Sequence, residues 1–300
     1  MKNKLTLTVG ITTCFGDKSI LDTVRSIRSS KGIKNFRFII IADRVPISPE
    51  IKMGLKKYNV ELFENKFESG QMKKKKQILS KVKSDILLFT NDDVLFDKNA
   101  ISKMMERFES NPSATLISIR NEPVKATNFF EDILSVGTNM AYRLAKYWNK
   151  GDNYLSVIGR FEALRVSHLK KFKLPDEIAT SDAFLYFENK RLKGKYEFLS
   201  QVSVYFKNPA IMKEHLRKSS RFQFSKLEMS KYFKKINLEK EYQIPVQVKL
   251  RALFEQFLSN PYKFILYILV LIYTRLAKSK PKDVLDAVWE VDISTKKVLS

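Results

Sequence analysis

Cysteine is nearly absent from this 300-residue chain, where Cys14 stands alone. One thiol cannot close an internal disulfide, so the composition fits a reducing compartment and excludes a disulfide framework. Histidine is almost as scarce. His168 and His215 lie far from Cys14 in sequence, and no zinc-ligand spacing results. Glycine is limited to nine residues, and neither standard Gly-rich phosphate loop occurs. Long apolar runs are missing too. Residues 264–273 are uninterruptedly apolar, but an ordinary spanning helix needs about 20 such residues. The first strand-like segment alternates Leu and Thr, which argues against a signal peptide. Acidic residues are few: 32 Asp and Glu face 55 Lys and Arg, for a net charge of +23.

What is present describes a folded α/β protein. A hydrophobic fraction of 44% with 12% aromatics supports a real core and excludes disorder. The positive charge attracts polyanions such as nucleic acid, anionic lipid or phosphorylated substrates. It is densest at residues 73–76 and 217–240. The first third alternates strand and helix signals. Strands are expected at residues 5–13, 36–42, 60–64 and 86–90, with helices at 18–30 and 70–83 between them. The runs Phe38-Ile39-Ile40-Ile41 and Ile86-Leu87-Leu88-Phe89 read as strands buried on both faces of a mostly parallel sheet. Further on come a helix at 98–109, a strand at 114–120, a long helix at 127–148, a strand at 161–166 and a helix at 181–192. The last third is basic and apolar, with amphipathic helices over 209–232 and 248–258. The chain divides accordingly into an α/β region at 1–208, a basic interfacial region at 209–245 and an expected C-terminal membrane-associated helical region at 246–300. The apolar segment 264–276, flanked by Lys263 and Arg275, suits an in-plane interfacial helix or one short membrane helix; packing on the core is the other possibility.

Ligands of open α/β sheets bind at the carboxyl ends of the strands. Those ends carry Thr12-Thr13-Cys14, Asp43-Arg44 and Asn91-Asp92-Asp93. Carboxylates held at a strand end suit Mg²⁺ or Mn²⁺, which take few protein ligands and complete their shell with phosphate oxygens. An Asx turn that merely ends the strand would use the same residues.

The segment Leu88-Phe89-Thr90-Asn91-Asp92-Asp93-Val94, after a basic helix, resembles the Asp-x-Asp region of the family 2 glycosyltransferases. Val9-Gly10-Ile11-Thr12-Thr13 and Ile39-Ile40-Ile41-Ala42-Asp43 resemble the first two strands of that family, and the likeness runs from Leu5 to Phe222. The resemblance implies a GT-A type fold and transfer of a sugar from a nucleotide-diphosphate donor to an acceptor hydroxyl, with inversion. It implies a divalent cation held by Asp93, with Asn91 at the position of the first motif carboxylate. Asp92, Asp43, Thr13 and Lys75 would then bind the donor, a UDP-sugar first and a GDP- or dTDP-sugar otherwise. Thr180-Ser181-Asp182 is similar to the Thr-Glu-Asp motif, which makes Asp182 the general base. Gly159-Arg160 resembles the acceptor-side segment. Arg221 matches the arginine of Gln-x-x-Arg-Trp, while Lys218 and Phe222 depart from it, which favours single transfer over processive synthesis. The basic, apolar C-terminal third points to a glycan or lipid-linked acceptor at the cytoplasmic face of a membrane.

Two other classes compete. A nucleotidyltransferase could also use strand-end carboxylates and a cation, but its Gly-rich opening loop is replaced by Thr12-Thr13-Cys14-Phe15. A non-enzymatic basic protein could bind membrane or nucleic acid. No RRM, KH or zinc-finger pattern is found, so nucleic acid is not an expected partner.

Overall fold

The computed structural model describes residues 4–33, 35–277 and 292–296. One eight-stranded sheet organises the chain, in the order β3-β2-β1-β4-β7-β6-β8-β5. The strands are β1 (Leu7–Phe15), β2 (Arg37–Val45), β3 (Val60–Glu64), β4 (Ile86–Thr90), β5 (Val94–Phe96), β6 (Ala114–Pro123), β7 (Glu162–Arg165) and β8 (Lys195–Phe206). The helices are α1 (Lys18–Arg28), α2 (Pro49–Lys57), α3 (Gln71–Lys81), α4 (Ala100–Ser110), α5 (Phe129–Tyr147), α6 (Val166–Leu169), α7 (Ser181–Arg191), α8 (Met212–Tyr232), α9 (Leu238–Tyr242), α10 (Val246–Ser259) and α11 (Pro261–Leu276).

The expected parallel half is β3-β2-β1-β4. Beyond β4 the sheet becomes mixed: β7 runs antiparallel to both β4 and β6, and β5 antiparallel to β8, while β8 lies parallel to β6. Strand β8 and the short β5 are absent from the sequence-based expectation. In β8 a register shift at Ile119/Arg120 of β6 interrupts the alternation that would otherwise mark a strand.

Side chains of β2 and β4 alternate between two cores. Phe38, Ile40, Ile86 and Leu88 join the core under α1 and α4, while Ile39, Ile41, Leu87 and Phe89 join the one under α3 and α7. This two-sided burial is why both segments read as unbroken apolar runs. Gly10 of β1 lets α3 approach closely, since a Cβ there would stand 2.7 Å from Cγ2 of Ile78. Helix α7 is apolar nearly all round, with Ala183, Phe184, Leu185, Tyr186 and Phe187 buried between the sheet and α8.

The last helices pack on α5 rather than standing apart. Gln256 of α10 accepts a hydrogen bond from Arg143, and Lys263 of α11 pairs with Asp132 at 2.6 Å. Their outer faces leave Leu250, Phe254, Leu258, Tyr262, Leu269 and Leu276 more than half exposed. No helix among the described residues is long and apolar enough to cross a membrane; the 264–276 segment lies in α11, a 16-residue helix packed on α5.

Candidate active site

The carboxyl ends of β1 and β4, the loop before β7, the start of α7 and the first half of α8 enclose a cavity of about 210 Å³. It brings together Thr13, Asn91, Asp92, Asp93, Gly159, Arg160, Asp182 and Arg221, which lie far apart in sequence.

Asp92 is the buried centre of the acidic turn. Its carboxylate accepts from the Thr13 hydroxyl and pairs with Lys296, and its backbone carbonyl accepts from the Ser19 hydroxyl at 3.0 Å. Burial pushes the Asp92 carboxyl up, against the pull of Lys296. Asp93 is more open, with 17% of its side chain exposed; Lys296 Nζ lies 3.6 Å from its Oδ2 and the Thr295 hydroxyl 3.4 Å. Asn91 is engaged by the protein, its amide oxygen accepting from Gln71 Nε2 at 3.3 Å.

The donor set therefore consists of hard oxygens, and the Asp93 carboxylate is more open than that of Asp92. Such a set fits Mg²⁺ or Mn²⁺ only if phosphate and water complete the shell. Among the described residues no group of three or more His, Cys, Asp or Glu could hold an ion alone. The Lys296 ammonium rests against these oxygens. Burial works to lower its pKa, but Asp92 and Asp93 outweigh burial and raise it.

Two expected donor residues are placed differently. Asp43 does not line the cavity. It is buried behind it, accepting from Lys74 Nζ at 2.7 Å, from the Ser69 backbone N–H at 2.8 Å and from the Ser69 hydroxyl at 3.0 Å. Lys75 turns away as well. Its ammonium is buried against Glu162 Oε2 at 2.5 Å and donates to Ser181 Oγ at 3.1 Å. Of the α3 lysines, Lys74 reaches the cavity, and it also donates to the Thr13 carbonyl at 3.2 Å. Adjacent helix positions point about 100° apart, so α3 sends its neighbouring lysines to different partners. Arg44, with φ of 63°, supplies a further cation to the wall.

The expected acceptor side lies around α7. Asp182 lies in its first turn, and its Oδ1 accepts from the Ala183 N–H at 2.9 Å. Glu228 of α8 holds the preceding loop by accepting from the Ala179 and Thr180 N–H groups at 2.8 and 2.9 Å and from the Thr180 hydroxyl at 2.5 Å. Ser181 is tied to Lys75 and bonded to Gln71 at 2.9 Å, so one polar network runs from Glu162 through α3 to Asn91. Gly159 faces open space, and the Arg160 carbonyl accepts from the Thr90 hydroxyl at 2.7 Å. The Arg160 guanidinium lies over the Phe206 ring at 3.6 Å, with the Lys218 ammonium over the same ring at 5.0 Å. Burial lowers the pKa of Arg160 and of Arg221, and brings Lys218 down to about 7 with Arg160 adding to the effect.

Sequence reasoning missed the closing segment. Asp292, Thr295 and Lys296 line the cavity although they follow Asp93 by some 200 positions. The Ser294 hydroxyl donates to Glu214 and accepts from the Ala210 N–H at 2.9 Å, and Asp292 pairs with Arg217 at 3.2 Å. Glu228, Lys74 and Lys218 were likewise not singled out for these positions. Only the departure of Lys218 from the Gln-x-x-Arg-Trp pattern pointed to that position.

Residues 8–172 match the profile of Glycosyl transferase family 2. No curated protein matches the sequence. Solved structures share the fold at low identity. One is the mannosyltransferase PcManGT from Pyrobaculum calidifontis in complex with GDP-Man and Mn²⁺, at 14% identity and a TM-score of 0.55, covering 93% of this chain and 78% of that one. Another is TarS 1-349 of S. aureus, at 15% identity and a TM-score of 0.52 over 86% of this chain and 74% of that one. Its complex with UDP-GlcNAc gives 14% and 0.51, over 91% and 88%. The sheet and helices are thus of the GT-A type. With more than half of its length matched, the chain belongs to glycosyl transferase family 2 and is a glycosyltransferase that uses a nucleotide-sugar donor.

Proposed function

We propose that the cavity binds the donor diphosphate beside Asp93 and that Asp182 is the base that activates the acceptor. The observation that carries this reading is the shared wall: Asp93, in the turn after β4, and Asp182, in the first turn of α7, line one cavity. When bound, a divalent cation supplies charge neutralisation for the departing diphosphate. Asp93 would hold that ion and Asn91 would lie at its edge. Thr13 orients Asp92, Lys74 and Arg44 line the donor wall, and Asp43 holds Lys74 in place. Asp182 takes a proton from the acceptor hydroxyl as that oxygen attacks the anomeric carbon from the face opposite the diphosphate. One displacement inverts that centre. Arg160 and Arg221 add positive charge on the acceptor side.

GDP-Man and UDP-GlcNAc in the structural neighbours support a nucleoside diphosphate sugar without choosing the base. The exposed apolar residues of α10 and α11, with the net charge of +23, support peripheral contact of the 246–277 region with an anionic membrane surface. The test is turnover of UDP-, GDP- and dTDP-sugars in the presence of membrane extract, read as released nucleoside diphosphate. Asp182→Asn is expected to lower the rate by about 10²–10⁴ while donor affinity stays within about threefold. Unchanged turnover in Asp182→Asn removes the base assignment.

A further inference from the structure

Next to the donor cavity lies a second chamber of about 400 Å³ between α5, α8, α11 and the sheet. Leu134, Tyr142, Leu155, Val157, Tyr267 and Leu271 give it a mainly apolar wall. The two spaces share Ile158, Arg160, Thr180, Asp182, Lys218 and Phe222. The apolar chamber therefore begins at the proposed base.

Two cations stand at that junction. Arg160 and Lys218 both lie over the Phe206 ring. Among the described residues neither makes an ion pair or a side-chain hydrogen bond. Two like charges drawn together out of water are unfavourable, and the Phe206 face with the attraction of Asp93, Asp182 and Asp292 offsets only part of that. A bound anion would relieve the repulsion. The donor wall has cations of its own in Lys74 and Arg44. The Arg160–Lys218 pair borders both spaces, and on its far side the walls are mainly apolar, with Asn208, His215 and Arg275 among them.

We propose that Arg160 and Lys218 seat a phosphate group of the acceptor and that the apolar chamber takes the alkyl chain attached to it. This rests on the transferase reading and deepens it, since it makes the acceptor a phosphate-bearing lipid. The acceptor hydroxyl is then delivered to Asp182 from the chamber side. Helix α11 forms part of the chamber through Tyr267, Leu271 and Arg275 and exposes Ile265, Leu269 and Ile272 on its outer face. A chain leaving the chamber along α11 meets an apolar surface that suits a bilayer.

The experiment measures binding of decyl phosphate, below its micelle concentration, to the full chain without donor. Inorganic phosphate and decyl glucoside separate the contributions of head group and chain. Decyl phosphate is expected to bind at least about tenfold more tightly than either. Lys218→Met and Arg160→Met should each weaken it about tenfold and leave decyl glucoside unaffected. Ala141→Trp, at an exposed position on the chamber wall, should block both decyl compounds without disturbing the core. UDP, GDP or dTDP with Mn²⁺ should not displace decyl phosphate. Displacement by a nucleotide would assign the two cations to the donor and overturn the proposal, as would an affinity that the chain does not improve. Because the assay contains no donor, loss of decyl phosphate binding alongside intact nucleotide binding sinks this proposal alone.

Discussion

Replacing Lys75 by Met separates a structural lysine from a donor-binding one. The pair it forms with Glu162 is fully buried, at 2.5 Å, with side chains 2% and 0% exposed. Among the described residues Glu162 Oε1 has no hydrogen-bond partner, so the lysine is the carboxylate's main support. Removing one member of such a pair costs about 3–5 kcal/mol. Burial already pushes the Glu162 carboxyl up against the pull of Lys75. Protonation in the variant therefore limits the loss to about 3 kcal/mol at neutral pH. At about 2–4 °C per kcal/mol, thermal unfolding should fall by roughly 6–12 °C. The pH dependence follows from the direction of the shift. A carboxyl whose folded pKa is raised costs nothing below its unfolded pKa and costs more as pH climbs toward the folded one. The deficit should thus be smaller at pH 5 than at pH 7.5. In Lys75→Met/Glu162→Leu both charges go, and stability should recover to within about 1 kcal/mol of the native chain. Calorimetry at the two pH values checks this. A drop below about 2 °C, or a double variant no better than the single, would refute the account. A stable Lys75→Met with weakened nucleotide binding would return Lys75 to the donor.

Other outcomes follow from the same geometry. Lys296→Ala removes the ammonium that rests against Asp92 and Asp93, so calorimetric titration should show Mn²⁺ binding several-fold more tightly; an unchanged affinity means that the ammonium and the ion do not compete. Glu228→Gln removes the charge that accepts from two backbone N–H groups and a hydroxyl before α7, and should lower kcat about tenfold by loosening Asp182, at a stability cost of about 1–2 kcal/mol; unaltered kcat would show that the loop is held by other means. Gly137→Leu would drive a side chain into Tyr267, where even a Cβ would collide with the ring. It should release α11 from α5, seen as faster amide exchange over 261–276, and equal protection in both proteins would contradict that packing.

Some of this site was legible in the sequence because local chemistry and fold agreed. An apolar run buried on both faces, ended by Asn91-Asp92-Asp93, can only place those residues at a strand's carboxyl edge. The place of Asp182 on the cavity wall was legible because Thr180-Ser181-Asp182 marks a helix start. Lys75 was misplaced because Lys74 and Lys75 are both buried and differ only in azimuth on α3. Only the tertiary positions of Glu162 and Asp43 decide which lysine meets the cavity. Strand β8 was hidden by its bulge. The 292–296 segment and Glu228 act through contacts that span about 50 to 200 residues, and no local pattern marks them.

The most direct test of the central claim is thermal unfolding of the native chain and of Asp93→Ala against UDP, GDP and dTDP, each with and without Mn²⁺. A ligand at a hundred times its dissociation constant stabilises the native state by about 2.7 kcal/mol. One nucleotide should raise the native melting temperature by several degrees with Mn²⁺, and Asp93→Ala should lose the metal-dependent part while remaining folded. A shift of equal size in Asp93→Ala, or none with any nucleotide, would contradict a metal-assisted donor site at the end of β4.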